Sequence, residues 1–262
     1  KRRIFREFKI GTLIHLIMLD TRQYGRDKQL QPKDYLSESG FNQAKFYNDL
    51  NSKNRELLGA EQLSWIENSV LKSNAVWTIF GQQVLMAKLK FPDISKMLKT
   101  EEIPNFLKPY LKFLGLGIPS NLDAWDGYPA ARNSLYKLMK NTKKKFISLA
   151  GDTHNSWVSE LENQSGKKVG IELGAPSVTS PGITDILNLD QNKFVDSIVK
   201  INKELQWMDP SNRGYLFLNC MENKIIASFN FIKELDNINS EISSSQSFVI
   251  YREGLELKEI KA

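Results

Sequence analysis

Two of the 262 residues are histidines, and one of them, His154, stands two positions after an aspartate, Asp152. Both follow the apolar run Phe146-Ile147-Ser148-Leu149-Ala150, which reads as a buried strand. A carboxylate oxygen beside an imidazole nitrogen suits Zn²⁺, iron or Mn²⁺. Such a pair is only part of a coordination shell. A catalytic metal takes about three protein ligands and keeps a position open, and a two-metal site for phosphoester cleavage takes more. The plain alternative is a strand-to-loop turn, with Asp152 as a helix N-cap and His154 on the surface.

Two other predicted strands end in polar groups. Leu13 to Leu19 runs into Asp20-Thr21-Arg22, and Ala75 to Phe80 runs through Gly81 into Gln82-Gln83. In open α/β sheets, sites collect at the carboxyl ends of strands, so three such ends favour a convergent site. Arg22 offers a planar fork to phosphate, or it pairs with Asp20 or another carboxylate. Gln82 and Gln83 offer amide oxygens to a metal, or they cap backbone groups. His15 lies inside an apolar strand and reads as a core histidine. Trp125, Tyr128 and Trp157 read as packing residues. Loops of the G-x-x-x-x-G-K-[ST], G-x-G-x-x-G and G-x-S-x-G types are missing, as is H-E-x-x-H. A Ser–His–Asp arrangement through His154 stays open, but nothing marks its nucleophile.

The elements that must position these residues follow from periodicity. Residues 4–10 and 13–19 predict two strands around Gly11-Thr12. Residues 60–72 carry Leu63, Ile66 and Val70 at helical spacing. Residues 130–141 and 190–205 also predict helices, 169–173 a strand, 214–232 a hairpin turning near Glu222-Asn223, and 248–260 one or two last strands. Residues 23–57 are turn-rich, 88–123 read as an irregular insertion, and the Ser-rich stretch 238–247 as a loose loop. The order of strands and helices predicts a mixed α/β layered domain.

Composition limits the classes. Hydrophobic content of 41% and charged content of 25% are ordinary for a globular chain. No run approaches the roughly 20 apolar residues of a bilayer span. The net charge of +6 attracts anions, yet its longest basic run, Lys143-Lys144-Lys145, fits a solvated loop between a helix and a strand. No basic face interleaved with aromatics marks a specific nucleic-acid partner. The single cysteine, Cys220, excludes an intramolecular disulfide and reads as a buried thiol. The opening K-R-R-I-F-R-E-F-K-I-G lacks Met and is already strand-like, so the natural N-terminus is expected upstream.

Seven segments occur in order: L-D-T-R-Q-Y, L-L-G-A-E-Q-L-S-W-I, W-T-I-F-G-Q-Q-V-L-M-A, D-A-W-D-G-Y-P-A-A-R, L-A-G-D-T-H-N-S-W, G-A-P-S-V-T-S-P-G and R-G-Y. Together they resemble the PhoD-like alkaline phosphatases, within the calcineurin-like metallophosphoesterases. The resemblance implies an α/β fold, a four-layer αββα sandwich with two mixed sheets. It implies hydrolysis of phosphate mono- and diesters by metal-activated water, with iron and calcium as the metals. The substrate would be a small phosphoester or a phosphate-containing polymer, and the location periplasmic or secreted. It assigns metal binding to Asp152 and His154 and, by position, to Gln82; Arg22 becomes a candidate phosphate contact. The family's first metal motifs should precede the L-D-T-R strand, but only 19 residues precede Asp20 and none fits. Residues 1–262 are therefore expected to be the C-terminal portion of such a domain, holding part of the site. The competing expectation is a non-catalytic basic fragment that binds polyanions.

Overall fold

The computed structural model describes residues 3–94, 97, 113, 116–119, 121–235, 237 and 240–260. A short turn at Gly11, whose φ of +54° suits glycine, joins β1 (Arg6–Ile10) to β2 (Ile14–Met18) as an antiparallel pair. The minor strands β3 (Leu36–Ser37) and β4 (Gly40–Phe41) and helix α1 (Gln43–Leu50) follow. Helix α2 (Ala60–Leu71) leads back to β5 (Trp77–Gly81), which pairs parallel with β2. Helix α3 (Pro129–Asn141), with proline in its first turn, precedes β6 (Phe146–Ala150), parallel to β5. Parallel neighbours need such crossover connections.

The sheet is completed by β7 (Ser156–Glu162), β8 (Lys168–Gly174) and β9 (Leu205–Asp209), in the order β1-β2-β5-β6-β8-β7-β9. Helices α4 (Ile183–Leu187) and α5 (Gln191–Ile201) lie between β8 and β9 in the chain. A second sheet of four antiparallel strands follows: β10 (Gly214–Cys220), β11 (Lys224–Ile232), β12 (Ile242–Tyr251) and β13 (Glu256–Ile260).

Two cores flank the seven-stranded sheet. On one face Ile66 and Val70 of α2, Leu135 and Met139 of α3, and Phe194 and Ile198 of α5 pack with Ile17, Phe80 and Phe146. On the other, Trp77, Ile79, Ile147 and Ile171 meet Ile225, Phe229, Phe248 and Ile250 of the second sheet. Burial on both faces is why β5 is enclosed at every position. The layers are thus helix, sheet, sheet. Tyr215 and Phe217, on the far face of the second sheet, are exposed, and the mixed α/β layers of the described residues agree with part of the expected sandwich.

The expected loop at 238–247 is corrected in part: Ile242 to Ser247 continue β12, because β11 pairs with them through Ser228↔Ser247 and Phe231↔Ser244. The expected helix over 190–205 ends at Ile201, and the chain turns into β9 at Leu205. Most of the expected insertion at 88–123 lies outside the described residues. Its described ends belong to the body of the protein, with Leu89 and Ile94 buried.

Candidate functional site

Because β2, β5 and β6 are parallel neighbours, their carboxyl ends share one edge of the sheet. At the end of β2, Asp20 folds its carboxylate back on the chain. Its Oδ1 accepts the Arg22 N–H at 2.9 Å and the Gln23 N–H at 2.8 Å, an Asx-type turn. Two glutamines, Gln62 buried and Gln83 partly buried, hold that turn. Gln62 accepts the Asp20 N–H at 2.8 Å and donates to the Asp20 carbonyl at 2.9 Å. Gln83 accepts the Thr21 N–H at 2.9 Å and donates to the Leu19 carbonyl at 2.9 Å.

The turn projects Arg22 outward, where its two terminal nitrogens pair with Asp123 and Asp152. Arg26 joins this cluster, donating to Asp123 Oδ1 at 2.5 Å and to the Thr21 carbonyl at 3.0 Å. Its guanidinium lies over the Tyr128 ring, 4.9 Å from the centroid. Arg26 and Asp123 had no sequence signal of their own, although Asp123 begins the segment D-A-W-D-G-Y. The glycine of that segment is required by packing: a Cβ on Gly127 would stand 2.0 Å from the Leu122 carbonyl oxygen.

At the end of β6 the backbone is strained. Asp152 and His154 have φ of +68° and +62°, the left-handed region that non-glycine residues avoid at a cost on the order of 1 kcal/mol each. The intervening residues pin them. The Thr153 hydroxyl donates to the Asn155 carbonyl at 3.1 Å and accepts the Trp157 indole N–H at 2.7 Å. Asn155 donates to the Thr153 carbonyl at 2.7 Å and accepts the Ile183 N–H at 3.0 Å. In G-D-T-H-N-S-W, then, Thr153, Asn155 and Trp157 build the loop, and Asp152 and His154 face solvent.

Gln82, at the end of β5, points inward. It donates to Ser148 Oγ at 2.7 Å and to Glu172 at 3.3 Å, and accepts the Trp125 indole N–H at 2.5 Å. Both ends of its amide are engaged in this buried network, so the geometry lends no support to the metal role expected for it. Glu172, fully buried on β8, also receives the N–H groups of Met86 (2.8 Å) and Ala87 (2.8 Å). Burial pushes its carboxyl up to about 7, against the pull of those backbone donors and of Ser148.

Glu172 begins a series. The chain from 86 to 90 lies in no strand, and side chains satisfy its amides one after another. Glu204 accepts from Lys88 at 2.9 Å, Asp126 from Leu89 at 2.8 Å and Asn202 from Lys90 at 2.7 Å. Asp126 also accepts from Arg132 at 2.7 Å, and both residues are buried. Burial raises the Asp126 carboxyl although the Arg132 charge opposes it.

His15 is enclosed as expected, its Nε2 2.7 Å from Glu7 Oε2. Lys144 and Lys145, from the basic run, are spent on carbonyls: Lys144 on Val70 at 3.0 Å and Lys145 on Gly254 at 2.9 Å.

Asp152 and His154 match a metal in donor chemistry, and both are exposed enough to receive one. Asp20 adds a buried carboxylate oxygen, Oδ2, that has no hydrogen-bond partner. The donor count is short: among the described residues, no three His, Cys, Asp or Glu side chains gather closely enough to hold an ion.

Layered sheets, with an acid, a histidine and an arginine gathered at parallel strand ends, define a class of α/β proteins built to work at that edge. Comparison with known proteins narrows the class. The model of the PhoD-like phosphatase family matches residues 1–229, and the chain belongs to that family. Alkaline phosphatase D of Bacillus subtilis (strain 168) is 28% identical over 264 aligned residues, covering 99% of this chain and 39% of that protein. A solved structure titled "Structure of PhoD" superposes with a TM-score of 0.75 at 26% identity, covering 100% of this chain and 44% of the other. The chain therefore spans less than half the length of these relatives.

Proposed function

We propose that this chain forms one wall of a metal-dependent site that hydrolyses phosphate mono- and diesters. One observation carries the reading: Arg22 from the end of β2 meets Asp152 from the end of β6, so an anion-binding group and a metal-binding group share one point. Family membership supports the chemistry. Asp152 supplies a carboxylate oxygen and His154 an imidazole nitrogen to the metal, with iron and calcium as the expected ions. Metal, when bound, lowers the pKa of water and neutralises charge on phosphoryl oxygens. Arg22 presents two N–H donors to the phosphate, while Arg26 and Asp123 fix its position. The strained backbone at Asp152 and His154 holds their side chains toward solvent before any ligand arrives. Asp152 and His154 are two ligands of the three or so that a catalytic metal takes. By the same family resemblance the protein works outside the cytoplasm, on a small phosphoester or a phosphate-containing polymer.

The test is metal content after native purification, beside hydrolysis of p-nitrophenyl phosphate and its bis ester with and without chelator. Metal retained through Asp152 and His154, and lost in Asp152→Asn, is the expected result. Equal metal content in wild type and variant would sink the assignment.

A further inference from the structure

Asp152, Thr153 and His154 are among the residues lining a cavity of about 350 Å³. Its walls are mainly apolar, with Leu85, Leu89, Phe91, Trp157, Ile183 and Ile186 among them, and Asn121 and Asn155 add two amides. No lysine or arginine lines it among the described residues, and its acidic groups are Asp126 and Asp152. Asp126 is already held by Arg132 and the Leu89 N–H. One wall is preformed, since carboxylates and Asn202 fasten the backbone from 86 to 90. An apolar cavity with one polar end is the usual form of a small-molecule site. Here Asp152 and His154, among its polar groups, are the residues proposed above to meet the metal beside the phosphate.

We infer that this cavity receives the alcohol portion of the phosphoester, and that it selects an uncharged aromatic or alkyl group. The inference rests on the proposed phosphoesterase site, because it takes its direction from the phosphate end at Arg22 and Asp152. A second phosphate or a carboxylate on the leaving group would meet apolar walls and two aspartates whose partners, Arg132 and Arg22, are not among the described residues lining the cavity, so anionic leaving groups are disfavoured.

Calorimetry on the whole chain would compare inorganic phosphate, methyl phosphate and 1-naphthyl phosphate, each with Mn²⁺ present. 1-Naphthyl phosphate should bind about tenfold tighter than methyl phosphate, or better, the effect of removing on the order of 60 Å² of apolar surface from water. Ile186→Asp should bring that ratio close to one; Ile186 is 38% exposed, so the fold tolerates the change. Phe91→Ala should lower the ratio as well, which guards against a special effect of the new charge. Equal binding of the two esters by a protein that binds inorganic phosphate would overturn the inference and leave the phosphoesterase reading standing. A preference that survives both variants would place the apolar group elsewhere and overturn it too. Failure of all three anions to bind would remove the phosphate end itself, and both readings would fall.

Discussion

Asp126 and Asp152 line the same cavity, yet they are held in opposite ways. Asp126 is buried, one oxygen on the Leu89 N–H and the other on Arg132. Asp152 is half exposed, sits on a left-handed backbone and meets one guanidinium. The difference separates structural from available acids. A carboxylate whose lone pairs are met by buried donors cannot be given up without leaving those donors stranded. A carboxylate that keeps free lone pairs toward water, on a backbone the loop has to hold in place, can take a ligand at little cost to the fold.

The hardest way to break that comparison is Arg132→Met. It leaves Asp126 buried without its cation and should cost about 3–5 kcal/mol of stability by urea denaturation; a loss below about 1 kcal/mol would put Asp126 in the available class. Glu172 gives the next effect. Its folded carboxyl titrates at about 7 against an ordinary 4.5, so the folded state binds the proton more tightly than the unfolded chain. Its contribution is fully present below pH 4.5 and is lost as pH rises through about 7, a change on the order of 3 kcal/mol. Glu172→Gln should flatten that part of the stability–pH curve, and an unaltered slope would assign it to other groups. Asp152→Asn should weaken metal retention by roughly tenfold or more while moving stability by less than about 1 kcal/mol. The smallest effect sharpens the contrast from the other side. His154→Gly should raise stability by about 1 kcal/mol, because glycine accepts the +62° φ freely, while metal retention falls. A loss of stability there would mean that the side chain supports the loop.

Much of this was readable from the sequence. Apolar runs located β2, β5 and β6, and helical spacing located α2 and α3, so a mixed α/β domain with three polar strand ends was legible, while the parallel pairing that brings those ends to one edge came with the structure. Motif order identified the family, and His15 proved to be the core residue expected. Residues 156–162 escaped notice because Ser159, Glu160 and Glu162 break the apolar run, although the strand pairs with β8 and β9 on both sides. The Ser-rich half of β12 escaped for the related reason that pairing with β11, not intrinsic propensity, makes it a strand. In the site, Arg22 and Asp152 were legible singly but their contact was not, since 130 residues separate them. Gln82 shows the limit of placing a residue by strand position alone. Which way a side chain turns at a strand end depends on its neighbours, here Ser148, Glu172 and Trp125.

The segment from 86 to 90 also says something about time. Beside the nearer one to Asp126, three of its fastenings reach 86 residues to Glu172, 116 to Glu204 and 112 to Asn202. None of these three can close until β8 and the turn after α5 have arrived, and closing such long loops is a late event in folding. Substitutions at these fastenings should therefore speed unfolding and leave the refolding rate nearly as it was. The cavity wall is then among the last surfaces to take shape and among the first to come apart.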